Sequence, residues 1–212
     1  MSFGNLDTKK MVTLHFATTN KNKTIELQRI ASNIITHKII VKPLEAGIVE
    51  SEENGKTFTE NSEIKFLYYE QYCGIQDDSN FVIAEDSGFE ISDLDNFPSV
   101  HSARFLKQFT THEEAFLEIK EMLLQKFGKP LDNIKAKFVC DLCTRINNKL
   151  VHFSSSVNGS ISLQFLNDKG FGYDPIFIPE NHTKTFAQMS GTEKDGISHR
   201  GQAFQQFLSV IL

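Results

Sequence analysis

Tryptophan is absent from this chain, and cysteine is scarce, with three residues in 212. An odd cysteine count cannot close into a full disulfide set and nothing marks secretion, so a reducing cytoplasm is the expected location. A long apolar run is also missing. None approaches the ~18 residues that a membrane span requires, and the opening "MSFGNLDTKK" lacks the apolar centre of a signal peptide. Positive charge is not in excess either. A formal net charge of −5 argues against a surface built to lie along nucleic-acid phosphates, while leaving room for one local basic pocket for a small polyanion. No internal repeat, low-complexity tract or linker divides the chain, so its length fits one domain, residues 11–212, behind a polar tail over 1–10.

What the chain has in quantity is phenylalanine. There are 19, within a hydrophobic fraction of 40% and a charged fraction of 23%, which is enough to bury a sizeable core. Most of these rings belong to that core, so a functional Phe is the exception. "MVTLHFA" (11–17) reads as a buried strand followed by the polar turn "TTNKNK". Ile25, Leu27, Ile30, Ala31 and Ile34 then recur at helical spacing. "HKIIVKPL" (37–44) is a second strand, a helix opened by Thr59 follows, and "FVIAE" (81–85) is a third strand. This alternation is α/β grammar, with sites expected where strands end.

The second half differs. "TTHEEAFLEIKEMLLQKFG" (110–128) is a helix with a Thr111–Glu114 capping box, an apolar stripe of Ala115, Leu117, Ile119 and Leu123, and a stop at Gly128. Two long strands joined at Asn147–Asn148 read as a hairpin. A hairpin added to an α/β core suggests two lobes with a cleft between them. Cys140 and Cys143 form a C-x-x-C, but residues three apart on a strand point to opposite faces, and no second ligand pair stands at metal spacing.

Four stretches carry candidate chemistry. "ATTNKNK" presents backbone N–H groups and a helix N-terminus, which favour an anion, with Lys23 adding a full charge. It is not a Walker loop, whose glycines it lacks, and a plain capped turn with a solvated lysine is the other reading. "VIAEDSGF" carries Glu85 and Asp86 out of an apolar strand into what reads as a Ser87–Gly88 turn. With Glu50, Glu52 and Glu53 in an earlier loop, these carboxylates suit Mg²⁺; Glu50 and Glu52 read better as solvated. In "KGFGYDPIF", Gly170 and Gly172 flank Phe171 without bulk, so its ring either stacks on a flat base or joins the core. In "GISHRGQAF", Ser198 reads as an N-cap, which puts His199 and Arg200 in the first helical turn. Cations there oppose the helix dipole, which a ligand explains better than stability does.

Taken in order, these stretches resemble the inosine triphosphate pyrophosphatases over nearly the whole chain. T-G-N-x-x-K is matched by Thr18, Asn20 and Lys23. The E-x-G loop is matched by Glu53 and Gly55, and F-x-E-N-A-x-x-K by Phe58, Glu60, Asn61 and Lys65. Glu85–Asp86–Ser87–Gly88, Ser102–Ala103–Arg104, the run from Gly170 to Phe177 and Ser198–His199–Arg200 complete the set. Thr19, Ser62 and Ser99 depart from the family pattern, which has glycine, alanine and glycine there.

The resemblance implies an elongated mixed β-sheet core flanked by helices, two lobes with a nucleotide cleft, a homodimer and a Mg²⁺ cofactor. It implies hydrolysis of deaminated purine triphosphates (ITP, dITP, XTP) to the monophosphate and pyrophosphate. Asp86, Lys65 and Glu85 would be catalytic, with Glu53 and Asp86 holding the metal. Thr18, Asn20, Lys23, Asn61, Ser87, Gly88, Arg104, Phe171, Gly172, Tyr173, Asp174, Lys194, His199 and Arg200 would bind the nucleotide. Donors such as His199 and Arg200 would pair with a 6-keto oxygen and oppose adenine's amine. Two other readings keep the same residues: a related pyrophosphatase for other modified nucleotides, and a nucleotide-binding module without turnover.

Overall fold

The computed structural model describes residues 11–34, 37–44, 47–49, 51–73, 77–128, 134–162, 164–165 and 170–212. The polar tail over 1–10 and Glu50 lie outside them. Strand β1 (Met11–Phe16) leads into α1 (Lys21–Ser32), whose N-cap is Asn20; its side chain accepts from the backbone N–H of Asn22 and Lys23. Strand β2 (Lys38–Pro43) follows, then α2 (Phe58–Glu70). Thr57, not Thr59, opens α2, because Thr57 and Glu60 satisfy each other's backbone N–H in a capping box. Strand β3 (Asn80–Ile91), β4 (Phe97–Ser99), α3 (Ser102–Leu106) and α4 (His112–Phe127) come next. The Thr111–Glu114 box opens α4 and Gly128, at φ 69°, closes it. The hairpin of β5 (Lys135–Ile146) and β6 (Lys149–Ile161) turns through Asn147 and Asn148, both at positive φ. Strand β7 (Phe177–Pro179), α5 (Gly191–Ile197) and α6 (His199–Ile211) end the chain.

These strands form one mixed sheet in the order β2-β1-β3-β5-β6-β7, with β4 on β3. Strand β1 runs parallel to β2 and β3, and every later pairing is antiparallel. An α/β half thus continues into an antiparallel half through β3, which belongs to both.

Strand β3 is longer than its apolar run suggests. It does not turn at Ser87–Gly88 but runs on to Ile91, because β5 pairs with it from Ile83 to Ile91. Glycine is required at 88: a Cβ there would sit 2.5 Å from the Ser99 carbonyl oxygen and 2.7 Å from the Phe58 ring. Phe81 and Ile83 pack with α1 and α6 in a first core, and Val82 and Ala84 with α2 on the opposite face. Phe89 and Ile91 enter a separate core with α4, Tyr173 and Phe177. Residues 85–88 are the polar gap between cores. Cys140 and Cys143 fall in different cores on opposite faces, as strand alternation demands. Ile25 and Leu117 are exposed instead of joining their helices' buried stripes; Glu26 and Phe116 are buried beside them.

Phe89 is fully buried and stacks on Tyr173 at 4.6 Å between ring centroids. Phe89→Ala should cost ~3–5 kcal/mol, read as a lower urea midpoint with an unchanged slope.

Candidate active site

The site grows from a gap in the sheet. Strand β1 pairs with β3 only as far as Phe16 opposite Ile83, and β4 pairs with it only from Phe89. Between them, over residues 84–88, no described strand covers that edge of β3. The Thr18–Asn20 turn lies beyond the end of β1. There the Thr18 hydroxyl accepts from the Asn20 N–H at 3.1 Å while Asn20 caps α1.

Alternation along β3 sends Glu85 and Asp86 to opposite faces of this edge. They therefore do not converge on one ion, as their adjacency suggested. Glu85 turns to the α1–α6 face. Arg200 donates to it through Nε (2.8 Å) and Nη2 (3.1 Å), and Lys23 Nζ lies 2.9 Å away. Arg200 also donates to Ser87 Oγ at 3.0 Å and, through Nη1, to Glu26. Glu26 accepts from Lys194 at 2.6 Å, and Lys194 reaches Asp174 at 2.7 Å. Three cations and three carboxylates thus alternate in one chain: Lys23, Glu85, Arg200, Glu26, Lys194, Asp174. Asp174 also accepts from the Phe171 backbone N–H at 3.1 Å. The Phe171 ring stays half-buried, with Lys194 Nζ 4.7 Å and the Arg200 guanidinium carbon 5.7 Å from its centroid. Gly170 and Gly172 both adopt positive φ, which shapes the loop that presents the ring.

On the α2 face, Asn61 accepts from the Gly55 N–H at 2.8 Å and donates to Asp86 at 3.0 Å, holding the acidic loop against the strand. Lys65 donates to the Glu85 carbonyl oxygen at 2.9 Å. Its ammonium lies 3.1 Å from Glu53 and 3.9 Å from Asp86. Arg104, on the surface, donates to the Glu53 carbonyl oxygen. Glu52 is exposed. Two of the expected binding residues are buried rings. Tyr173 is a core ring whose hydroxyl donates to the Ser102 carbonyl oxygen at 3.0 Å. His199 stacks flat on Phe138 at 4.6 Å, and its Nδ1 is buried without a hydrogen-bond partner.

Burial and charge divide the titratable groups. Burial alone would raise Glu85, yet Arg200 and Lys23 hold it well below the carboxylate range. Glu26 is likewise lowered against its burial by Arg200 and Lys194. Asp86 goes the other way: its burial outweighs Lys65 and Lys23, and Glu53 adds to the rise. Burial, with the charges of Arg200 and Lys194, pushes His199 well below the histidine range and keeps it neutral. Glu26 escaped the sequence reading. The available signal was an acid three residues after Lys23 and four before Ile30, on the buried side of α1.

Glu53 and Asp86 fit a hard cation, since both present carboxylate oxygens to a place already favourable to an ammonium. Among the described residues no group of three or more His, Cys, Asp or Glu could cage a metal. Among the described residues no helix is long and apolar enough to cross a membrane.

Residues 14–210 match the model of the Ham1 family. A dITP/XTP pyrophosphatase of Aquifex aeolicus is 36% identical over 200 residues, 92% of this chain and 94% of that protein. One from Borreliella burgdorferi is 36% identical over 211 residues, 95% and 97% of the two chains. A HAM1 protein from Coxiella burnetii superposes with a TM-score of 0.78 at 30% identity, covering 95% of this chain and 98% of that one.

The lowered glutamates make a pH prediction. Because Glu26 and Glu85 titrate below the ordinary 4.5 when folded, the unfolded chain takes up their protons first as pH falls. Their stabilisation is complete above 4.5 and is lost as pH drops through their folded values. Glu26→Gln should therefore be less stable than the parent at pH 7, and the gap in urea midpoint should narrow steadily below pH 4.5. A gap independent of pH would mean that the carboxylate's charge contributes nothing.

Proposed function

The chain belongs to the Ham1 family, and on that premise we propose that it hydrolyses ITP, dITP and XTP to the monophosphate and pyrophosphate. It is a nucleoside triphosphate pyrophosphatase, a hydrolase of a phosphoanhydride bond. The observation that carries the substrate reading is the open edge of β3 over 84–88. A ligand laid across that edge meets Asp86, Lys65 and Glu53 on one face, and Phe171 over Lys194 and Arg200 on the other. A nucleotide has the matching two ends, a polyanion and a flat base.

In this reading the triphosphate lies toward Asp86, with Lys23, Lys65 and the Thr18–Asn20 turn offsetting its charge. Asp86 and Glu53 would hold Mg²⁺, which supplies Lewis-acid polarisation of the phosphoryl group and neutralises the leaving pyrophosphate. Asp86 orients the water that attacks the α-phosphorus and accepts its proton, while the bond from that phosphorus to the bridging oxygen breaks and its electron pair leaves with pyrophosphate. Asn61 holds Asp86 in place through Oδ2, while Lys65 faces Oδ1. Glu85 contributes by fixing Lys23 and Arg200. The base stacks on the open face of Phe171. A neutral His199 and the backbone around it offer donors to a 6-keto oxygen and leave adenine's amine without an acceptor. Asp174 holds the Phe171 loop and Lys194.

Asp86→Asn, which removes one negative charge at constant volume, should abolish metal-dependent pyrophosphate release from dITP while the melting temperature holds. Glu53→Gln should raise the Mg²⁺ concentration needed for half-maximal rate. Near-normal turnover by the Asp86→Asn protein would end the assignment.

The base reading has its own test. Arg200→Ala would strand two buried carboxylates, so it cannot separate base recognition from folding. His199→Phe keeps the stack on Phe138 and removes both ring nitrogens. It should compress the ratio of kcat/KM for ITP over ATP, each lost hydrogen-bond mismatch being about 1–3 kcal/mol. Phe171→Ala should raise KM for every nucleotide with little change in melting temperature. Equal losses for ITP, XTP, GTP and ATP in His199→Phe would remove His199 from base selection.

A further inference from the structure

Directly across the ladder from Asp86, the chain buries a second carboxylate that the proposed reaction does not use. Asp86 of β3 and Asp141 of β5 are cross-strand partners, so both side chains stand on the α2 face. Like charges in that relation repel, and Asp141 is only 1% exposed. It is tolerated because four donors surround it. Two belong to β6: Ser154 Oγ, and His152 Nδ1 at 2.8 Å. A carboxylate only accepts, so that His152 nitrogen carries the hydrogen. The other two belong to α2: Ser62 Oγ, and Thr59 Oγ1 at 3.2 Å. The Ser62 hydroxyl also lies 3.0 Å from the Thr59 carbonyl oxygen. Burial would raise the Asp141 carboxyl, but bonds from Ser154, Ser62 and His152 hold it below the ordinary value.

The two helix donors stand beside the residues that face Asp86, with Thr59 and Ser62 on either side of Asn61. Ser62 follows Asn61 directly, and Lys65 lies on the next turn of the same helix. Ser62 is fully buried, where a hydroxyl without an acceptor would cost stability. The Asp141 carboxylate is the acceptor that satisfies it. A tether at both 59 and 62 restrains the rotation of α2 and its slide along the sheet. Either motion would swing Asn61 and Lys65 away from Asp86.

We propose that Asp141 is a positioning residue that anchors the first turns of α2 through Thr59 and Ser62, so that Asn61 and Lys65 meet Asp86 at working distance. Its activity readout rests on the pyrophosphatase reading above; its structural readout does not.

The experiment compares full-length Asp141→Asn, Ser154→Ala and Thr59→Val/Ser62→Ala with the parent. It measures kcat and KM for dITP per folded molecule, melting temperature, and hydrogen exchange over residues 58–65 without substrate. Asp141→Asn should lower kcat about tenfold, since small misplacements of reacting groups cost up to 10²-fold. KM should stay within about twofold, and exchange over 58–65 should rise. Ser154→Ala removes a donor from the sheet side of the same carboxylate. It should lower the melting temperature and leave kcat within about twofold. In the Thr59→Val/Ser62→Ala background, Asp141→Asn should change kcat no further, the mark of a shared path.

If Asp141→Asn keeps the parent's kcat per folded molecule, or raises KM alone, Asp141 only supports the fold and the proposal is overturned. It is also overturned if kcat falls with exchange unchanged. Should Asp141→Asn fail to fold, equal kcat in Ser154→Ala and Thr59→Val/Ser62→Ala overturns it. If the parent releases no pyrophosphate from dITP, ITP or XTP, the pyrophosphatase reading fails. Exchange over 58–65 then decides the anchor alone, and unchanged protection in Asp141→Asn overturns it.

Discussion

A guanidinium with 3% exposure needs partners on every side, and the partners of Arg200 set the position of most of the site. Glu85 and Glu26 neutralise it, Ser87 takes a further N–H, and each glutamate is shared with a lysine. Leaving one member of such a group uncompensated costs about 3–5 kcal/mol, so the six charges stand or fall together. Through them α1, β3, α5, α6 and the loop of Phe171 are tied at one point. Phe171 lies over Lys194 and Arg200 because both ammonium and guanidinium are already pinned there, and the placement of that ring is a consequence of the ion chain.

Strand β3 supplies the second constraint. It threads separate hydrophobic cores, and only residues 85–88 between them are free to be polar. Among the described strands the same four positions have no neighbour on the β1 side, so polarity and access coincide. Alternation then divides the labour. Glu85 organises the cations on one face, and Asp86 meets Lys65 and Glu53 on the other. A ligand that uses both must straddle a strand edge, which is the geometry expected at the ends of parallel strands in open α/β sheets.

Features governed by near neighbours in the chain were legible in the sequence. The Thr111–Glu114 box, the Ser198 cap and the Asn147–Asn148 turn each depend on hydrogen bonds or dihedrals within a few residues. Where a distant segment decided, the local reading went astray. Ser87–Gly88 has the composition of a turn, yet β5 holds it extended, and Gly88 is needed for the close approach of Ser99 and Phe58. Tyr173 sits in a motif that reads as binding, yet its ring completes the stack on Phe89. Glu26 went unread in the sequence because the groups that bury it, Lys194 and Arg200, come 168 and 174 residues later.

The sequence by itself determined the alternation of elements, the caps, the hairpin and the set of charged residues that had to go somewhere. Those follow from periodicity and from side chains that satisfy their own backbone. Only the tertiary structure decided which charge meets which. Buried ions are stable only in contact with their counter-ions, and those contacts join α1 to α6, α2 to β3 and β5, and the Phe171 loop to α5. The pairing of Glu85 with Arg200, and the parting of Glu85 from Asp86, were settled by the sheet register that places neighbouring residues on opposite faces.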